Sequence, residues 1–253
     1  MINTPLFTLM YKEVYRFMRL WRQTLIPPVI SSSLYLMIFG QILGNRIGAV
    51  QGVGYTKFVL PGLVMLSMII SSFQNTASSF YGEKFQKSIE EILIAPLANY
   101  QVIIGFLCGG IARGVICGSL VLLVGVILTN IHFAHPLYLM YTMLITTSCF
   151  AAVGMLNGML AKTFDHITIF PDFILMPLIF LGGVFYNTQE LPGVLKSMHV
   201  YNPIVYFVDA ARYAILGVSE FSSGSDFLVI SMVGVFVISF LSYCFNKGFG
   251  FRE

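Results

Sequence analysis

The feature that most constrains this chain is a series of apolar runs at residues 25–43, 56–80, 101–128, 137–160, 167–186 and 227–245. A helix needs about 20 apolar residues to cross the roughly 30 Å hydrocarbon core of a bilayer, and each run is close to that length. With 57% hydrophobic and 10% charged residues, the chain has too much apolar surface for a soluble domain. An all-α fold is therefore expected: a polytopic helical membrane protein with six transmembrane helices, forming a single transmembrane domain over residues 1–253. A net charge of +3, scattered along the chain, gives no footprint for nucleic acid. Cys108, Cys117, Cys149 and Cys244 all lie in apolar runs without a C-x-x-C pair, so neither a disulfide framework nor a metal site is indicated.

Ahead of the first run, Thr4-Pro5 makes a good helix start. From there Lys12, Arg16 and Arg19 fall on one helical face, and Met10, Val14, Phe17, Met18 and Trp21 on the other. That pattern predicts an amphipathic interface helix over 1–24, its apolar side against membrane lipid and its basic side toward anionic headgroups. It does not read as a signal peptide, because charge extends to Arg22 and no small-residue cleavage site follows. Pro27-Pro28 is expected to mark the bend into the first span.

Between the second and third runs, residues 81–100 hold the densest two-sign charge cluster in the chain, Glu83, Lys84, Lys87, Glu90 and Glu91. Glu83/Lys87 and Lys87/Glu91 are four apart, which places opposite charges on one face of a short helix, while Phe85, Ile89, Ile92 and Leu93 form an apolar face. Pro96 ends that helix. A polar helix hung between two spans suits contact with a partner in water, and a solvated connector would carry the same pattern.

The third run places Gly105/Gly109 and Gly110/Gly114/Gly118 four apart, a spacing that lets helix backbones approach closely in lipid. Arg113 lies within it, either as a substrate or gating contact or as a structural hydrogen-bond donor. The fifth run carries Pro171, Asp172 and Pro177, so a kinked span bearing an acid is expected, with Asp172 lining a pathway or sitting at the interface. Residues 187–225 are too long for a turn and keep many apolar groups. They are expected to form two short re-entrant helices at the external face, separated at Asn202-Pro203, with Asp209 and Arg212 one turn apart and able to pair. On this topology nine Lys and Arg fall inside and four outside, so both termini are expected in the cytoplasm.

Taken together, the basic N-terminal helix, GEKFQKSIEEILIAPLANYQVIIG, PLIFLGGVFYNTQELP from Pro177, YNPIVYFVDAARYAILG from Tyr201 and the Gly-rich basic end resemble the membrane subunit of a type-2 ABC exporter. One departure is the loop at Lys84–Ser88, where that family often reads Arg and Gly-Thr. The resemblance implies a homodimer, or a closely similar pair, joined to two copies of a cytoplasmic ABC ATPase subunit in a bacterial inner membrane. Glu83, Lys84, Phe85, Lys87, Ile89, Glu90 and Glu91 would form the ATPase-coupling helix. Asp172, Phe173, Met176 and Pro177 would lie at the pathway or dimer contact, with Arg113 a further candidate. Asn202, Pro203, Tyr206, Asp209 and Arg212 would shape the re-entrant cap. Export of a hydrophobic or amphipathic drug-, lipid- or glycan-like substrate is the implied function.

The chain is not expected to be an enzyme. It has no G-x-x-x-x-G-K-[ST] loop, so ATP and Mg would be bound by the partner ATPase and no cofactor by this chain. The rival is a secondary transporter driven by an ion gradient, with Arg113 and Asp172 as its intramembrane charges. An intramembrane enzyme using His132, His135, His166 or His199 is disfavoured, since no H-E-x-x-H or G-x-S-x-G occurs.

Overall fold

A computed structural model describes residues 4–44, 48–187, 193 and 199–250. The described residues are mostly helical: α1 (Thr4–Arg19), α2 (Trp21–Thr24), α3 (Ile26–Met37), α4 (Tyr55–Phe85), α5 (Ile89–Ile94), α6 (Asn99–Thr129), α7 (Pro136–Leu160), α8 (Phe164–Phe170), α9 (Met176–Phe180), α10 (Pro203–Leu216) and α11 (Ser223–Lys247). Among the described residues, five helical stretches are long and apolar enough to cross a membrane: Trp21–Gly40 and the helices α4, α6, α7 and α11.

The fifth expected span takes a different form. Here α8, a π-helical turn at Pro171–Leu175 and α9 make one rod from Phe164 to Phe180. At 1.5 Å per residue the rod is about 26 Å long, somewhat shorter than the hydrocarbon core. It ends at a turn through Gly183, whose φ is +76°. A proline has no amide for the i−4 bond, and the wider π turn accommodates that break.

Helix α4 is the core of the bundle, and it is buried on nearly every side. A helix that is apolar all round is stable only when other helices surround it. Here α6 and α7 pack along its length, and α3, α10 and α1 close the remaining sides. The glycines of the third run make this approach possible. A Cβ at Gly114 would lie 2.7 Å from Thr147 Cγ2 and 2.9 Å from Ser72 Cβ. Between α3 and α4 lies a small hairpin, Ala49–Val50 paired with Val53–Gly54. Gln51 (φ +50°) and Gly52 (φ +79°) supply the two left-handed residues that such a tight turn requires.

The first expected span is entered through short turns at Leu20 and Leu25, on either side of α2 and just ahead of the prolines. Pro27 and Pro28 then sit in the first turn of α3, where missing amides do little harm. The first short helix expected in residues 187–225 falls largely outside the described residues.

Candidate functional site

The continuous helix expected from Glu83 to Leu93 is not formed. α4 runs on to Phe85, a turn at Gln86–Ser88 interrupts it with Lys87 at φ +58°, and α5 begins at Ile89. Glu83 and Lys87 therefore do not share a helical face. The cause is a set of bonds made by Glu83: its carboxylate accepts from Lys12 Nζ at 2.7 Å and from Ser88 Oγ at 2.6 Å, which closes the turn.

Three residues of the expected coupling helix turn inward. Glu83 is held as described, and Lys84 Nζ donates to the carbonyls of Met159 (3.0 Å) and Ala161 (3.2 Å) at the end of α7. Ile89 is buried against Phe80, Val102 and Phe106. Phe85, Lys87, Glu90 and Glu91 stay exposed, joined by Leu93 and Ile94. Tyr81, Lys84, Phe85, Lys87, Glu90 and Leu93 line a cavity of about 560 Å³ beside them. The result is a mixed charged and apolar surface on a rigid base. Phe85 packs edge-on against Phe164 at 5.0 Å, and Phe164 likewise against Tyr81 at 4.8 Å.

The interface helix differs from its expected orientation. Its inward face is Leu9, Glu13 and Phe17, while Met18 and Trp21 remain exposed. Lys12 and Arg16 do not point away from the protein. Lys12 meets Glu83, Glu13 Oε2 accepts from Ser79 Oγ at 2.6 Å, and Arg16 donates to the Asn75 carbonyl (3.0 Å) and Oδ1 (3.1 Å). Successive turns of α1 are thus bonded to successive turns of α4. Burial holds the Glu13 carboxyl above its ordinary value, and Arg16, Ser79 and Lys12 draw it partly back. The visible signal for this seam was Ser67, Ser71, Asn75 and Ser79 at four-residue spacing in an otherwise apolar run.

Arg113 and Asp172 are not brought together. Arg113 Nη2 donates to the Thr24 carbonyl at 3.2 Å, the group that Pro28, four residues on, has no amide to bond. Asp172, Phe173 and Pro177 are exposed on the α8–α9 rod, and Met176 is half-buried. This placement gives Arg113 a structural partner.

The sequence model of the ABC-2 type transporter family matches residues 4–216. The chain belongs to this family. It is 41% identical over 245 residues to the inner membrane transport permease YadH of Escherichia coli (strain K12), covering 96% of this chain and 94% of that protein. It is 26% identical over 185 residues to nodulation protein J of Rhizobium leguminosarum bv. viciae, covering 73% and 71% respectively.

In this ABC-2 permease the end of the bundle away from α5 is built around α10. Asn202 caps it by accepting from the Ile204 amide at 3.1 Å, and Asn202 Nδ2 donates to the Leu178 carbonyl at 2.7 Å. Pro203 occupies the first helical position, where no amide is needed. Tyr206 packs against Phe221 with ring centroids 5.0 Å apart. Asp209 and Arg212 lie 3.6 Å apart. Asp209 also accepts from the amides of Glu220 and Phe221, both at 3.0 Å. Arg212 reaches Glu220 Oε1 (3.2 Å) and the Gly183 carbonyl (2.8 Å), with its guanidinium 4.0 Å from the centroid of the Phe58 ring. Sequence reasoning missed Glu220 and Asp226, because each carries meaning only once the chain returns to α10.

Proposed function

We propose that this chain is the membrane-spanning permease subunit of an ABC exporter in a bacterial inner membrane, acting as a dimer powered by two copies of a separate ATPase subunit. The observation that carries this reading is the family membership across residues 4–216. The geometry supports a place for the ATPase: the exposed surface of Phe85, Lys87, Glu90, Glu91, Leu93 and Ile94, on a base that Glu83, Lys84 and Ile89 fasten to α1, α7 and α6. A push on α5 is passed through the Glu83 turn to α4 and α1 together. ATP and Mg are bound in the partner, which closes on nucleotide and shifts the permease between inward-open and outward-open arrangements. The α5 end faces the cytoplasm and α10 caps the pathway externally. The substrate class is hydrophobic or amphipathic, drug-, lipid- or glycan-like.

The test is purification of the intact permease from membranes in mild detergent, beside a Lys87→Ala, Glu90→Ala, Glu91→Ala variant. Wild type is expected to carry a P-loop ATPase whose hydrolysis responds to the permease, and the variant to lose it while remaining folded. Transport that runs on an ion gradient without any ATPase would replace this reading with the secondary-transporter one.

A further inference from the structure

The Gly-rich basic end of the chain forms a defined turn. Gly248 (φ +69°) ends α11, with its amide on the Phe245 carbonyl and the Phe249 amide on the Cys244 carbonyl, both at 3.1 Å. Gly250 (φ +79°) then lies so close to the Met159 carbonyl at the end of α7 that a Cβ would collide with it. Glycine alone meets the left-handed backbone and the close approach together. The turn lays Phe249 beside a cleft of about 440 Å³, walled by Leu156 and Leu160 of α7, Phe170 of α8, and Phe240 and Cys244 of α11. That volume is within the usual range for a ligand pocket.

The cleft lies at the α5 end of the bundle, since Lys84 bonds the Met159 carbonyl beside it. It opens outward, where Leu160 and Tyr243 are exposed. Its walls are almost wholly apolar, and the Asn157 amide within them is spent on the Ile167 carbonyl at 3.1 Å. At the rim the character changes. Tyr243 also lines the cleft, and the exposed Lys247 one turn further on holds its ammonium 5.8 Å from the centroid of the Tyr243 ring. Among the described residues no carboxylate pairs with Lys247. A smooth helical flank touches a lipid chain on one side only, whereas a recess with three walls removes more of that chain's surface from other contacts. An amphiphile with an apolar tail and an anionic head therefore complements both parts of the site. The aliphatic stem of Lys247 lets its ammonium reach the headgroup level, and Tyr243 sits at the depth that amphipathic rings favour.

We propose that this cleft binds one acyl chain of an anionic phospholipid from the leaflet at the α5 end, with Lys247 holding the lipid phosphate. The chain fills the space between α7, α8 and α11, and the folded permease is stabilised by mass action as the lipid becomes available.

The experiment uses full-length permease in mild detergent, with phosphatidylglycerol or phosphatidylcholine of the same chain length added in steps. Thermal unfolding is followed for wild type, for Lys247→Gln, and for two variants that fill the cleft, Leu160→Trp and Cys244→Phe. A ligand that binds only the folded state raises the midpoint as its concentration grows. Phosphatidylglycerol is expected to raise the wild-type midpoint at lower concentration than phosphatidylcholine, and native mass spectrometry to find it retained on wild type. Lys247→Gln should need about fivefold more phosphatidylglycerol for the same rise, the contribution of one basic residue at an anionic surface. The filled variants should lose the response. Equal responses to the two lipids in wild type, an unaltered response in Lys247→Gln, or a full response in the filled variants would each overturn the proposal. A filled variant that changes the oligomeric state in size exclusion would assign the cleft to a second copy instead. Lys247 is exposed, so its variant decides the matter even where a filled variant does not fold.

Discussion

Single polar side chains in this permease answer single missing amides. Pro171 leaves the Ile167 carbonyl without its helical donor, and Asn157 Nδ2 supplies one from α7 at 3.1 Å. Arg113 does the same for Thr24 opposite Pro28. A buried carbonyl left without a donor costs about 1–3 kcal/mol, so Asn157→Leu is expected to destabilise by that order in detergent unfolding. Pro171→Ala restores the amide, so in the double variant the penalty of Asn157→Leu should shrink by about 1 kcal/mol or more. Additive effects would mean that the two residues do not answer one another. Glu13 gives a second residue-scale prediction. Its folded carboxyl holds a proton more tightly than the unfolded one, so stability present in acid is lost as pH rises from the ordinary carboxylate range through the raised folded value. Glu13→Gln keeps an acceptor for Ser79 and should match wild type in acid while unfolding at a higher temperature in alkali. A variant less stable than wild type in alkali would show instead that the bridge to Arg16 outweighs the burial cost.

Helices and their contacts were legible in the sequence to different degrees. α6 and α7 end within a residue or two of their apolar runs, because in lipid every backbone group must be satisfied within the helix itself. The Gly114 approach to α4 followed from four-residue spacing. The interruption at Lys87 was not legible, since charges four apart look the same on an intact helix and across a turn. What decides the matter is Lys12, which reaches Glu83 from 71 positions away. The orientation of α1 was misread for the same reason: amphipathic spacing reveals two faces without saying which of them a neighbouring helix will bond. Glycine substitutions separate close approach from mere helix permissiveness. Gly114→Val has to displace Thr147 and Ser72, so the yield of folded permease should collapse in a size-exclusion assay. Gly82 lies in α4 with open space around its missing Cβ, and Gly82→Ala should stabilise by about 0.5–1 kcal/mol through helix propensity. Equal effects at the two sites would remove the close-approach account.

At the scale of the whole molecule, the first span and the α8–α9 rod both leave apolar side chains uncovered. Ile30, Leu34 and Ile38 on the first span, with Phe173 and Ile174 on the α8–α9 rod, are all exposed, and Phe173 reaches 77%. Lipid covers such a surface adequately, so exposure alone does not select a second copy. The sequence could name the rod residues as pathway or contact candidates, but no single chain carries the information about what lies opposite them. Symmetry supplies a sharper test. In a two-fold dimer the same patch meets itself, and a residue cross-links to its own copy only where it lies close to the axis. With Cys108, Cys117, Cys149 and Cys244 replaced, single cysteines at Asp172, Phe173, Met176 and Pro177 are to be oxidised in native membranes beside a cysteine at Met232, which is 70% exposed on α11. If the rod is the dimer contact, at least one of its positions gives a disulfide-linked dimer and Met232→Cys stays monomeric on a denaturing gel. Cross-linking through Met232→Cys with none along the rod would move the dimer contact to the α11 flank and leave the rod facing lipid.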